Sequence, residues 1–88
     1  MDALLPTWVY ILRGSGGRHY IGMTSNLAAR VAQHRRGHTH TTVRLGDLIE
    51  LVAFRAYPDR TQAAQIEKQL KSWKNPQKAI VFLSAESC

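Results

Sequence analysis

Residues 8–22 read Trp8-Val9-Tyr10-Ile11-Leu12-Arg13-Gly14-Ser15-Gly16-Gly17-Arg18-His19-Tyr20-Ile21-Gly22, and the fold turns on how this stretch divides. Trp8 to Leu12 is rich in aromatic and β-branched residues, which suit a pleated, half-buried surface. Gly14-Ser15-Gly16-Gly17 then supplies turn chemistry and His19 to Gly22 resumes an extended pattern, so the spacing predicts a β-hairpin. With Arg13 facing Gly17 across a three-residue loop, Tyr10 lies opposite Tyr20 and both side chains share one face. A slip of one residue would send them to opposite faces. From the pattern alone, ordinary strand aromatics are the simpler reading of both. Gly22, at the end of the second strand, lets a ligand or a second backbone come close.

Downstream of the hairpin, Ser25 or Asn26 can cap a helix over about 26 to 36. Its apolar positions Leu27, Ala28 and Val31 follow the helical period, and Gly37 is placed as its stop. Arg30 and His34 are four residues apart and so share a face bordering the Leu27/Val31 stripe, which predicts both at the rim of the core. A half-buried guanidinium there suits a phosphate, with donors in a fixed fork and a charge that does not titrate away. A solvated basic face with a packed histidine accounts for the same pair.

Residues 38–46 show no usable period and read as a loop. Leu48 to Tyr57 is a near-continuous apolar run and suits a strand buried on at least part of both faces. Pro58-Asp59 ends it, and Asp59 with Gln62 gives the capping signature of a second helix whose stripe is Ala63, Ile66, Leu70 and Trp73. Asn75-Pro76 closes that helix and can open a short last helix through Phe82. A final strand over Ala79 to Leu83 competes with that reading. The residues thus give strand, strand, helix, strand, helix and a short C-terminal element.

Composition limits the rest. Single domains commonly run to about 100 to 150 residues, so 88 residues, 44% of them apolar, are read as one domain over 1–88. The lone cysteine, Cys88, allows no intramolecular disulfide, and the expected compartment is the reducing cytoplasm. The opening Met1-Asp2-Ala3-Leu4-Leu5-Pro6 lacks the basic start and apolar run of a signal peptide. No stretch approaches the roughly 20 apolar residues of a membrane span.

The net charge is +6, and its distribution says more than its size. Between Asp2 and Asp47 there is no acid, while Arg13, Arg18, Arg30, Arg35, Arg36, Arg44 and four histidines fall in that interval. A polyanion is the expected partner.

Among the six acids, Glu67 stands out because it falls beside the Ala63/Leu70 edge of its helix, again a rim position. An i,i+4 ion pair with Lys71 is the plain structural reading. Lys68, Lys71, Lys74 and Lys78 read equally as the wet side of the same helix. Clustered carboxylates for a two-metal centre, Cys/His spacing for zinc and a phosphate-cradling glycine loop are all missing from the sequence.

Together these residues resemble the GIY-YIG endonuclease superfamily. Val9-Tyr10-Ile11 stands where the family has "GIY" and Tyr20-Ile21-Gly22 matches "YIG". Arg30 falls on the family's essential arginine, His34 on the His/Tyr one turn later, and Glu67 on its metal-binding glutamate. Glu67-Lys68-Gln69-Leu70-Lys71 is similar to the helix signature of the short, single-domain bacterial branch, and the similarity runs from about Trp8 to Leu83.

The resemblance implies an α+β domain, a three-stranded, mainly antiparallel sheet flanked by helices. It also implies a Mg²⁺-dependent phosphodiesterase, with Mn²⁺ as a substitute, that acts on DNA in repair or processing. The implied catalytic set is Tyr10, Tyr20, Arg30, His34 and Glu67. Glu67 is the metal ligand, Arg30 the contact to the scissile phosphate and Tyr20 the base, with Tyr10 and His34 orienting it. Tyr10 and Tyr20 could exchange roles. Gly22, Arg35, Arg36, Arg44, Lys71 and Lys74 are the expected nucleic-acid contacts, and a partner protein or a second copy would supply targeting. A non-catalytic nucleic-acid-binding module on the same fold is the alternative.

Three positions depart from the family pattern. Val9 replaces the motif glycine, which is frequent in the short branch. Met23 stands where repair-enzyme relatives often carry lysine, removing one phosphate or water-orienting contact. Thr42-Val43-Arg44 replaces a commoner Tyr-Thr-Arg.

Overall fold

A computed structural model describes residues 6–14, 17–35 and 49–85. The elements are β1 (Thr7–Gly14), β2 (His19–Thr24), α1 (Leu27–Arg35), β3 (Ile49–Tyr57), α2 (Arg60–Trp73) and α3 (Pro76–Ala85). The sheet runs β2-β1-β3, with both pairings antiparallel. This is the α+β architecture expected from the sequence.

The central strand is β1, and its sequence shows why. Val9, Tyr10, Ile11 and Leu12 are all completely buried, so neither face of the strand is polar and both must be covered. β3 is an edge strand that pairs only with β1, and its apolar run is buried on part of each face as expected: Ala53 and Tyr57 pack on the Val9/Ile11 side and Leu51 on the Tyr10/Leu12 side, while Phe54 is 48% exposed. The pairing of β3 shifts between Ile11 and Leu12, whose partners are Ala53 and Leu51. Val52 is therefore the extra residue of a bulge. Leu48 and the 38–46 loop lie outside the described residues.

The hairpin register also differs from the expected one. The Gly14 N–H donates to the Arg18 carbonyl at 2.9 Å and the Gly17 N–H to the Gly14 carbonyl at 3.0 Å. The three-residue loop thus lies between 14 and 18, one position further along than expected. Gly17 has φ +84°, the left-handed conformation that the last residue of such a loop adopts and that glycine takes without Cβ strain. A residue in that conformation belongs to the turn, so it cannot pair with Arg13, which faces His19 instead. Tyr10 consequently lies opposite Gly22, and Leu12 opposite Tyr20. The displacement is two residues, so the tyrosines keep a common face but sit diagonally.

Capping residues set the helix starts. Asn26, not Ser25, caps α1 by accepting from the Ala29 N–H at 3.1 Å. Asp59 accepts from the Gln62 N–H at 2.7 Å ahead of α2. Asn75 accepts from the Lys78 N–H at 3.1 Å, with Pro76 as the first residue of α3. That last helix continues to Ala85, so the competing strand reading is set aside. Ala79 and Leu83, four apart, are both fully buried, a helical repeat rather than a strand one.

Alternation along β1 splits the core in two. Val9 and Ile11 pack with Ala53 and Tyr57 of β3, Ala63 and Leu70 of α2, and Ala79 and Leu83 of α3. Ile66 and Trp73 complete the expected α2 stripe around that cluster, and Trp73 meets Phe82 edge to face at 5.7 Å. On the opposite side Tyr10 and Leu12 pack with Val31 of α1, flanked by Tyr20, Leu27 and Leu51.

Candidate functional site

The α1 side of the sheet brings together three polar aromatic rings from three elements. Tyr10 (β1), Tyr20 (β2) and His34 (α1) have ring centroids separated by 6.0 Å for the two tyrosines, 6.1 Å for Tyr10 and His34, and 5.2 Å for Tyr20 and His34. The Tyr10 hydroxyl lies 3.2 Å from His34 Nε2. With that nitrogen unprotonated, the phenol O–H donates to it.

Gly22 explains how the rings fit. A Cβ at this position would stand 2.7 Å from the Tyr10 hydroxyl oxygen, 2.8 Å from Tyr20 Cε2 and 2.9 Å from Tyr10 Cζ. Such approaches are below any tolerable contact, so the strand carries glycine because two tyrosine side chains cross it. The space expected for a ligand over Gly22 is filled by those side chains. Gly22 is buried, and its place among the expected nucleic-acid contacts gives way to this packing role.

Burial separates the residues of the cluster. Tyr10 is 0% exposed and His34 2%. His34 is therefore inside the core, not at its rim as the helix geometry suggested, because β1 and β2 both turn aromatic rings toward that face of α1. Tyr20 and Arg30 are partly exposed. Burial pushes the Tyr10 phenol well above the ordinary tyrosine range, helped by the neighbouring Tyr20 and by the charge of Glu67, while Arg30 pulls the other way. Burial, and then the Arg30 charge, hold His34 below its ordinary value. At neutral pH Tyr10 is a neutral phenol and His34 a neutral imidazole.

These influences tie Arg30 and Glu67 electrostatically to the cluster. The Glu67 side chain is 22% exposed and its Oε2 lies 3.4 Å from Lys71 Nζ, so the i,i+4 pair anticipated from the sequence forms. Among the described residues, no group of three or more His, Cys, Asp or Glu side chains could hold a metal ion. A metal at this site would rest on the Glu67 carboxylate, with its other ligands drawn from water and substrate oxygens. That donor set suits a hard ion such as Mg²⁺ and no soft one.

Of the expected nucleic-acid contacts, Lys71 is half-exposed beside Glu67. Lys74 is exposed and ends α2 in the left-handed conformation, φ 53°. Arg36, Arg44 and the side chain of Arg35 lie outside the described residues. The structure also adds Arg18 and His19, which line a cleft with Tyr20, Lys71 and Lys74. The sequence showed Arg18 and His19 only as part of a basic interval, since their neighbours from α2 are some fifty residues away. No helix among the described residues is long and apolar enough to cross a membrane.

Comparison with known proteins bears on the family and the fold. The family model described as the GIY-YIG catalytic domain matches residues 6–79. A UPF0213 protein of Xanthomonas axonopodis pv. citri is 34% identical over 86 residues, covering 98% of this chain and 83% of that one. A UPF0213 protein of Photorhabdus laumondii is 33% identical over 82 residues, covering 92% and 79%. The solution NMR structure of a UPF0213 protein from Bacillus halodurans superimposes with a TM-score of 0.53 at 29% identity, covering 83% of this chain and 78% of that one. The hairpin with its two crossing tyrosines, the helix bearing Arg30 and His34, and the match along nearly the whole length have one reading: the chain belongs to the GIY-YIG catalytic-domain family, a nuclease superfamily that acts on DNA.

Proposed function

We propose that the chain is a Mg²⁺-dependent endonuclease that hydrolyses DNA phosphodiesters in DNA repair or processing, with Tyr10, Tyr20, Arg30, His34 and Glu67 as its working residues. The observation that carries this reading is the Tyr10–Tyr20–His34 cluster with the charges of Arg30 and Glu67 acting on it. An ordinary core would not bury a phenol and an imidazole against each other beside a guanidinium, because buried polar groups lower stability unless matched.

Glu67 would hold the ion, which when bound neutralises charge on the leaving 3′ oxygen. Arg30 binds the scissile phosphate and steadies the charge that builds on it in the transition state. Loss of one oriented donor of this type costs about 10² to 10³ in rate. Tyr20, having given its phenolic proton to solvent, acts as the phenolate and takes the proton of the attacking water. Burial disfavours the ionised form of Tyr10 and keeps it from solvent, whereas Tyr20 is partly exposed, which favours this division over the exchanged one. Tyr10 and His34, hydrogen-bonded to each other, fix the position of the Tyr20 ring.

The experiment is nicking of supercoiled plasmid and of branched DNA with Mg²⁺ by wild type, Tyr20→Phe, Arg30→Ala and Glu67→Ala. The expected result is loss of about two orders of magnitude or more in each variant. Equal activity in all four proteins would sink the assignment.

One observation favours a second reading. Glu67 already has Lys71 as a partner, and no further metal-binding cluster is found among the described residues. A non-catalytic nucleic-acid-binding module would bind DNA with a steep salt dependence. It would also be indifferent to Mg²⁺ and to Glu67→Ala.

A further inference from the structure

We propose that the cleft between β2 and the C-terminal end of α2 is a backbone-phosphate subsite, which seats the phosphate next to the one held at Arg30. The inference rests on DNA being the substrate. The cleft has a volume of about 560 Å³ and is lined by Arg18, His19, Tyr20, Lys71 and Lys74, with Asn75 and Pro76 at its end.

Its position follows from the hairpin register. Because Gly17 belongs to the turn, His19 opens β2 with Arg18 just ahead of it, next to Tyr20 on the strand that α2 packs against. Three cations, Arg18 ahead of β2, Lys71 in the last turn of α2 and Lys74 at its C-cap, thus border one concavity, and all three are exposed. Lys71 has Glu67 as its partner. The Nε2 of His19 is buried and has no hydrogen-bond partner, so this wall retains polar capacity that the fold itself does not use.

Two residues join the cleft to the candidate site. Tyr20 lines the cleft and also stacks against Tyr10 and His34. Lys71 lines it and also touches Glu67. A strand whose scissile phosphate meets Arg30 and Tyr20 therefore continues past Tyr20 into positive charge. The ligand this chemistry selects is a phosphodiester: a fork of guanidinium donors and two ammonium groups match non-bridging oxygens. An acidic peptide would use the same charges, and the test separates the two.

The test is binding without divalent metal, so that cleavage plays no part. Fluorescence anisotropy with a fluorescein-labelled DNA oligonucleotide is measured between 50 and 200 mM salt for wild type, Arg18→Ala/Lys74→Asn and Arg60→Ala/Lys68→Ala. Asparagine replaces Lys74 because it tolerates the left-handed backbone there. The second pair removes the same net charge from exposed positions of α2 that border a different concavity.

The cleft pair should weaken binding about tenfold or more and flatten the plot of log affinity against log salt by about one unit for each cation removed. The control pair should leave that slope near the wild-type value. The His19 ring resonances should move on adding the oligonucleotide and stay in place on adding an equally charged poly-glutamate. Equal slopes for the two variants, or His19 resonances that respond to poly-glutamate and not to DNA, overturn the proposal. A cleft pair that loses affinity in a protein that never cleaves DNA would leave the subsite standing and remove the nuclease reading instead.

Discussion

The two faces of the sheet use the same strand for opposite ends. On one, Val9 and Ile11 pack with aliphatic and aromatic partners from α2, α3 and β3. On the other, Tyr10 alternates with them and meets a histidine, a second tyrosine and the fields of an arginine and a glutamate. Both faces are fully buried from Val9 to Leu12, so burial alone does not distinguish structure from function here. What distinguishes them is how specific the neighbours must be. An aliphatic face tolerates repacking at conserved volume, whereas a polar cluster works only when each group keeps its partner.

The first way to break the comparison is on the aliphatic face. Leu83 is 0% exposed in that cluster, and Leu83→Ala should lower unfolding stability by about 2–5 kcal/mol. Urea denaturation followed by circular dichroism measures it. DNA nicking per folded molecule should stay within about twofold of wild type well below the transition. A large drop in activity at full folding would show that the two faces are not separable.

A smaller effect is expected between the faces, at Gly22. The methyl group of Gly22→Ala has Tyr10 and Tyr20 in its way, and such overpacking costs about 1–3 kcal/mol. Relief requires the rings to swing away, so the Tyr20 hydroxyl should move and cleavage should fall further than stability predicts. Unchanged tyrosine and His34 resonances in this variant would show that the crossing is looser than it stands here.

On the polar face, Tyr10→Phe keeps the ring and removes the hydroxyl that pairs with His34. The net loss is about 0.5–1.5 kcal/mol of stability. On the proposed division of roles, cleavage should fall by less than in Tyr20→Phe. The reverse ranking would exchange their roles.

Much of this was legible in the chain because it depends on local chemistry. Asp59, Asn26 and Asn75 cap helices through their own side chains, and the Ala63/Leu70 stripe follows from period alone. The motif pair Tyr10 and Tyr20 was readable as sharing a face, since a two-residue shift preserves the parity of a strand. What stayed hidden was non-local. Which strand is central depends on pairing partners and not on hydropathy, so two apolar runs, Val9 to Leu12 and Leu48 to Tyr57, do not by themselves say which lies between the others. His34 looked like a rim residue because its own helix could not reveal the two rings pressed on it from β1 and β2. The hairpin register hung on which glycine took the left-handed position.

The polar face also predicts a pH effect, the smallest of the four. His34 is held below its ordinary value by burial and by Arg30, whereas in the unfolded chain it titrates near about 6.5. Below that pH the unfolded state takes up a proton that the folded state refuses, so the unfolded state binds more protons and stability rises with pH. The contribution is complete above the unfolded value and is lost as pH falls toward the folded one, with a slope of at most about 1.4 kcal/mol per pH unit for one proton. Comparing wild type with His34→Gln in urea titrations between pH 8 and pH 5 isolates this histidine from the others. The stability gap between them should hold steady at the alkaline end and narrow as pH falls through about 6.5. A gap that widened on acidification would mean that His34 charges in the folded state against an acid. Glu67 is the acid whose field already reaches this cluster, and that result would turn the imidazole from a neutral positioning group into a proton carrier.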